Sequence, residues 1–152
     1  MLSIGLASSA LLSFIIISSM EYTVALQEQK ETVLTQKLNS IVFDKNLSWT
    51  QAKPKIKELI IDGANPNTYE ANPLFIATTL GDFLFVKWLL EHGANPHVAS
   101  YTGTPSSYIQ TLKYRKNIYP GHPRIEALLS EWMNKPEVIQ EYESILAIEK
   151  DP

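Results

Sequence analysis

The distribution of apolar residues divides the chain into two parts. Residues 2–20 read LSIGLASSALLSFIIISSM and carry no charged side chain. Their apolar positions have no spacing that would separate two faces of a helix or a strand. Further along the chain, apolar residues recur at intervals of three and four, which predicts amphipathic helices. The two parts therefore have different roles.

Residues 1–25 fit either a secretory signal or a membrane anchor. A signal would be cut after Ala25, where Thr23-Val24-Ala25 places small or tolerated residues at the cleavage site. An anchor would cross the membrane once. The absence of Lys or Arg before the apolar run weakens both interpretations, and a buried helix of a soluble domain is the third alternative. The expected localisation is secreted or periplasmic, or anchored to a membrane through residues 2–20.

The rest of the chain contains an internal repeat. Residues 59–67 read LIIDGANPN, and residues 89–97 read LLEHGANPH at an offset of 30. Residues 72–77 (NPLFIA) are echoed by residues 104–109 (TPSSYI) at an offset of 32. Two motifs in the same order at nearly the same spacing predict a stack of repeated units.

The repeated motifs predict a unit of two helices. Asn72 is an N-cap and Pro73 takes the first helical position, where its missing N–H costs nothing. Gly81-Asp82 ends this helix, and a second amphipathic helix runs over 83–91. Gly93 closes the second helix, because glycine readily adopts positive φ. The unit is therefore helix, short turn, helix and loop.

Residues 72–97 resemble an ankyrin repeat. The positions that match the family pattern are Pro73, Leu74, Ala77, Gly81, Val86, Leu89, Leu90, Gly93, Ala94 and Asn95. The resemblance implies an all-α fold, an ankyrin-type stack of helix-turn-helix repeats (an α-solenoid). It extends over residues 31–133 as about three repeats, and residues 134–152 form a C-terminal capping helix and tail. Phe75 departs from the pattern, since the family usually has His there.

The flanking repeats are degenerate. Before the middle repeat we expect helices around Thr32–Phe43 and Lys53–Ile61, and Ser48 to Gln51 has the spacing of a capping box. After it we expect helices over 105–112 and 124–132, separated by a long insertion at 113–122. A last helix begins at Asn134-Lys135-Pro136 and ends near Glu149, and it would cover the open end of the stack.

The residues that carry chemistry are few. The chain has no cysteine, which excludes disulfides and thiolate metal sites. His92 and His97 have no Asp, Glu or His four residues away to complete a metal site. No nucleophile elbow, glycine-rich phosphate loop or HExxH motif is present. The sequence therefore predicts a non-enzyme without metal or cofactor.

The resemblance implies a protein-binding module. Ankyrin stacks bind proteins through their loop tips and first helices, and we expect a monomer that binds a protein partner. Tyr69 and Tyr101 would be the anchors, since rigid aromatic side chains dominate interfaces. The corresponding positions here are Thr68, Tyr69, Glu70, Thr79, Leu80, Ser100, Tyr101, Thr102, Thr111 and Leu112.

The alternative is an anion- or nucleic-acid-binding module. Residues 108–124 read YIQTLKYRKNIYPGHPR, in which basic and aromatic residues alternate without an acid. This combination suits phosphate contact and base stacking. The net charge of −3 nevertheless makes nucleic acid an unfavourable partner for the chain as a whole. The candidate anion-binding residues are Lys113, Arg115, Lys116 and Arg124.

Overall fold

The described part of the chain contains helices and no β-strand. The computed structural model describes residues 4–68, 72–98, 103–105, 109 and 122–148, with side chains from residue 15 to residue 144. These residues form six helices and no β-strand, which confirms the predicted all-α class and is consistent with an ankyrin helical repeat fold. The helices are α1 Ile4–Phe43, α2 Trp49–Ile61, α3 Pro73–Thr79, α4 Phe83–Glu91, α5 His122–Met133 and α6 Pro136–Ile148.

Helix α1 is one unbroken helix of 40 residues. The sequence predicted a separate N-terminal segment and a first helix beginning near Thr32. No proline occurs in α1, and its one glycine is Gly5, so nothing in the sequence stops the helix between those two regions. Residues 4–25 are consequently the first part of a helix that continues into the body of the fold.

The predicted localisation is wrong. None of the helices in the described residues is long and apolar enough to span a membrane. Serines interrupt the apolar run at Ser13, Ser18 and Ser19, and charged residues begin at Glu21. From Ile15 onwards, Ser18, Ser19 and the charged residues keep the mean hydropathy of the described side chains of α1 below that of a spanning helix. Residues 4–25 form no element separate from α1 and give no support to a signal segment.

Side-chain caps fix where α2 and α4 begin. The Ser48 hydroxyl accepts from the Gln51 N–H, and Gln51 Oε1 accepts from the Ser48 N–H at 3.0 Å. This is the predicted capping box, and it starts α2 at Trp49 rather than at Lys53. Asp82 caps α4, with Oδ1 accepting from the Phe85 N–H at 3.2 Å.

The turns after α2 and α4 have the same backbone structure. The N–H of Ala64 donates to the Leu59 carbonyl at 2.8 Å, and the N–H of Ala94 donates to the Leu89 carbonyl at 2.9 Å. This bond is the six-to-one link of a Schellman motif, which requires positive φ at the residue before the donor. Those residues are Gly63 at 110° and Gly93 at 88°.

A single hydrophobic core runs from α1 to α5. Each of these helices contributes a fully buried side chain to it: Leu38, Ile56, Leu74, Leu89 and Ile125. Helix α6 adds Val138, which is 7% exposed. Of the segment predicted as a third first-helix, Pro105 and Ile109 are buried, and the other six residues lie outside the described residues.

Candidate partner-binding surface

Three of the ten predicted partner-binding residues lie in the described part of the chain. They are Thr68, Thr79 and Leu80. The other seven lie outside the described residues: Tyr69, Glu70, Ser100, Tyr101, Thr102, Thr111 and Leu112. The surface is therefore built here from the end of α3 and the turn before it.

Helix α3 presents Leu80 at its C-terminal end. The helix begins at the buried N-cap Asn72, whose Oδ1 accepts from the Phe75 N–H at 3.0 Å, and Pro73 follows at the first helical position. Both were predicted. Leu80 is the C-cap residue, and its side chain is 48% exposed. It offers an apolar contact to a partner. The cap of α3 and the packing of this helix in the core hold the position rigidly.

Thr79 and Thr68 offer less to a partner. The Thr79 hydroxyl donates to the Ile76 carbonyl at 2.7 Å, so its O–H is already used as a donor within α3. The Thr68 hydroxyl is buried and makes no hydrogen bond within the described residues. Neither hydroxyl is displayed at the surface as a free polar contact. The exposed contribution of these three residues therefore comes from Leu80.

The turns of the two repeated motifs are tied to each other. Asn67 Nδ2 donates to the Gly93 carbonyl at 2.9 Å, and the Asn95 N–H donates to Asn67 Oδ1 at 2.7 Å. One side-chain amide thus satisfies a donor and an acceptor of the following turn. This bridge holds the segment that leads to residue 68 at a fixed position against the next unit.

Helix α6 covers the second turn. The buried Asn95 amide donates to the Val138 carbonyl at 3.3 Å and to Glu141 Oε2 at 3.2 Å. The His97 ring stacks on Tyr142 with centroids 5.2 Å apart. These contacts place α6 over the turn that follows α4.

A column of aromatic rings joins α2 to α4, and sequence reasoning missed it. Trp49 meets Phe85 edge to face at 5.3 Å, Phe85 stacks on Trp88 at 5.8 Å, and Trp88 stacks on His92 at 3.8 Å. The ammonium of Lys57 lies 4.8 Å from the Trp88 centroid, within cation–π range. The spacing 85, 88 and 92 is helical and could have revealed this face.

Asp82 connects the two helices electrostatically. Its Oδ2 accepts from Lys53 Nζ at 2.8 Å and from Trp49 Nε1 at 3.0 Å. Burial raises the pKa of this carboxyl, but the hydrogen bonds from Lys53, Trp49 and the Phe85 amide and the charge of Lys53 outweigh burial. The pKa of Asp82 consequently lies below its ordinary value of 3.8. Beside it, a groove of about 290 Å³ lies between α2 and α4.

The three histidines serve structural contacts. Each ring is hydrogen-bonded to a backbone carbonyl: His92 to Trp88 at 2.8 Å, His97 to Met133 at 3.1 Å and His122 to Thr78 at 2.8 Å. Within the described residues, no group of three His, Asp or Glu side chains could hold a metal ion. The three histidine rings are therefore engaged in contacts within the fold.

Of the candidate anion-binding residues, the structure describes Arg124. Its guanidinium lies 3.9 Å from the centroid of the Phe83 ring, so it stacks on α4 from the start of α5. Lys113, Arg115 and Lys116 lie outside the described residues. The cationic side chain of Arg124 is thus already in contact with an aromatic ring.

Comparison with known proteins identifies one family. Residues 69–101 match the family model for the ankyrin repeat. No curated protein and no solved structure matches the chain. Ankyrin repeats are typically non-enzymatic and suggest a protein–protein interaction module. The match and the helical geometry of α3 and α4 together support an ankyrin-repeat protein, in agreement with the resemblance of residues 72–97.

Proposed function

We propose that this chain is a non-catalytic protein-interaction module that binds its partner through ankyrin loop tips and first-helix ends. The observation that carries the proposal is the ankyrin-repeat match over residues 69–101, which contains α3 and its exposed Leu80. The predicted anchors Tyr69 and Tyr101 stand at the two ends of the matched segment.

The internal contacts of the middle repeat support this role. Polar and aromatic groups of the repeat are already engaged in internal contacts. They form the cap of α3, the bridge from Asn67 to the second turn and the stacked rings of α4. A rigid scaffold lowers the entropy lost on binding, because the interface does not have to become ordered. The partner then meets a preformed edge around Leu80.

A pair of matched leucine variants tests the proposal. Leu80 and Leu84 are both exposed, at 48% and 76%, but Leu84 lies on α4. A photo-crosslinking amino acid at Tyr101 should give a discrete adduct in cells that express the chain. Leu80→Asp should abolish this adduct, and Leu84→Asp should leave it unchanged. Circular dichroism of both variants checks that the helices remain folded.

The reverse pattern would refute the proposed surface. Loss of the adduct with Leu84→Asp alone would place the partner on the face of α4. An adduct that disappears with rising ionic strength would favour the anion-binding alternative, because phosphate contacts weaken steeply with salt. A catalytic function would require an activity that a single His or Glu substitution abolishes. We expect no such activity.

A further inference from the structure

Residues 15–33 of α1 form a helix in which every residue is exposed. Contact with the core begins at Leu34, which packs with Leu38 against the rest of the fold. The exposed stretch covers 19 residues and about 29 Å of helix. It includes large apolar side chains that a monomer would leave in water, such as Ile15 at 58%, Tyr22 at 67% and Leu26 at 48% exposed.

Four of the exposed apolar residues lie on one face of α1. Ile15, Tyr22, Leu26 and Val33 are spaced by seven, four and seven, which keeps them within about 40° of one another around the helix. Spacings of four and seven are typical of helices that pair side by side. At its C-terminal end the stripe borders a groove of about 390 Å³. The groove is lined by Leu26, Gln29, Lys30, Val33, Leu34 and Lys37.

We propose that this stripe is occupied by α1 of a second copy of the chain, in antiparallel orientation. The spacing of the four residues is symmetric about residue 24: Ile15 and Val33 are equally far from it, and so are Tyr22 and Leu26. A twofold axis at that point places Ile15 opposite Val33 of the second copy, and Tyr22 opposite its Leu26. A twofold interface uses the same patch on both chains, so a patch that matches its own reverse is suited to it. The proposed dimer differs from the monomer that the sequence predicts.

The lysines beside the stripe favour the antiparallel arrangement. Lys30 and Lys37 line the groove. A parallel pair would set each lysine beside its own copy, and like charges that close repel. The antiparallel pair moves the two copies of Lys30 to opposite sides of the axis, about 18 Å apart along the helices. It also places the two folded bodies at opposite ends of the helix pair.

The first experiment measures the mass of the full chain by light scattering at about 50 µM, a concentration that populates a moderately stable dimer. The wild type should have twice the 17.1 kDa mass of one chain. Tyr22→Glu/Leu26→Glu should return it to the mass of one chain. The control is Ile17→Glu/Val24→Glu, which introduces the same charges at similarly exposed positions on the opposite face and should stay dimeric.

The proposal would be overturned by a wild type with the mass of one chain, by a dimer that persists in Tyr22→Glu/Leu26→Glu, or by equal dissociation of the control. A chain that stays in solution only when detergent is added, and then as a monomer, also overturns the proposal. The stripe would then be covered by detergent and not by a second chain. Circular dichroism separates a failed fold from a failed interface, because α2 to α5 should keep their helicity in every variant.

The second experiment fixes the orientation by disulfide formation. The chain has no cysteine, so each introduced cysteine reports one position. A mixture of Ile15→Cys and Val33→Cys chains should form a mixed disulfide under mild oxidation, and neither chain alone should form one. In the antiparallel pair two copies of residue 15 are about 27 Å apart along the axis, far beyond disulfide reach. Self-linking of each variant would show a parallel pair and contradict the proposal.

Discussion

The two GANP turns have the same sequence and backbone structure but different surroundings. Both close their helix with the same six-to-one hydrogen bond and a glycine at positive φ. Asn65 in the first turn is exposed, whereas Asn95 in the second is 1% exposed because α6 lies over it. Local structure therefore follows from the sequence of the turn, and burial follows from its neighbours.

The helices before the two turns differ in the same way. Leu59 and Leu89 occupy the same position of the motif, and they are half-buried and fully buried respectively. The second unit is packed between the first unit and α5, while α2 of the first unit packs on α1. Equal substitutions in the two units should therefore have unequal effects, and four pairs of variants measure the difference.

The largest difference is expected from the leucine pair. Leu89→Ala removes a fully buried side chain and should lower the free energy of unfolding by about 3–4 kcal/mol, and Leu59→Ala by about 1–2 kcal/mol. Urea unfolding followed by circular dichroism measures both. An equal loss in the two variants would contradict the unequal burial of the two units.

The asparagine pair comes next. Asn95→Ala leaves the His97 N–H and the Val138 carbonyl without their partner, which should cost about 2 kcal/mol. Asn65→Ala should cost less than ~1 kcal/mol, because water can reach the exposed Asn67 N–H. Hydrogen exchange should show faster exchange in α6 with Asn95→Ala alone. Protection of α6 in both variants would mean that Asn95 does not hold it.

The two N-caps test the connection between the units. Asp82→Ala removes a cap and the partners of Trp49 and Lys53, and should cost about 2 kcal/mol, against about 1 kcal/mol for Ser48→Ala. Thermal unfolding at neutral pH gives both values. A smaller effect at Asp82 than at Ser48 would show that its links to α2 contribute nothing.

The charge of Asp82 should appear in the pH dependence. Its pKa in the folded chain is lower than 3.8, so the unfolded state binds the proton first as the pH falls. The stabilisation is present above the unfolded pKa and is lost as the pH falls through the lower folded pKa. Asp82→Asn, which can still cap, should therefore be less stable than the wild type at pH 6 and approach it below pH 3.8. A gap that is constant with pH would exclude a charge effect.

The glycine pair should give the smallest difference. Gly63→Ala and Gly93→Ala both force a side chain into positive φ, and no atom lies within 4 Å of either added Cβ. Each variant should lose about 1 kcal/mol, and the two losses should be equal. Unequal losses, measured by urea unfolding, would show that the surroundings of a turn also affect its backbone.

Sequence patterns predicted the features that depend on neighbours in the chain. The capping box at Ser48, the cap at Asn72, the start of α4 at Phe83 and the closing Gly93 all follow from short-range hydrogen bonds. The ankyrin resemblance was also found, because its motif is local and repeated. Such features need only a few residues to be specified.

Long-range contacts could not be predicted in this way. The bonds from Trp49 and Lys53 to Asp82 join residues 33 and 29 positions apart, and no spacing rule relates them. The extent of α1 was missed for a different reason. A hydrophobic run was interpreted as a targeting segment, although the chain lacked any residue that would end the helix between residues 6 and 43.

The unbroken α1 also makes the chain a rigid spacer. A flexible linker would let a bound group sample many distances, whereas a helix fixes about 1.5 Å per residue. Any molecule held near Ile15 is therefore kept about 29 Å from the first core residue, Leu34. A ligand with two binding sites would gain avidity from such a spacer when its own spacing matches, and would lose that gain otherwise.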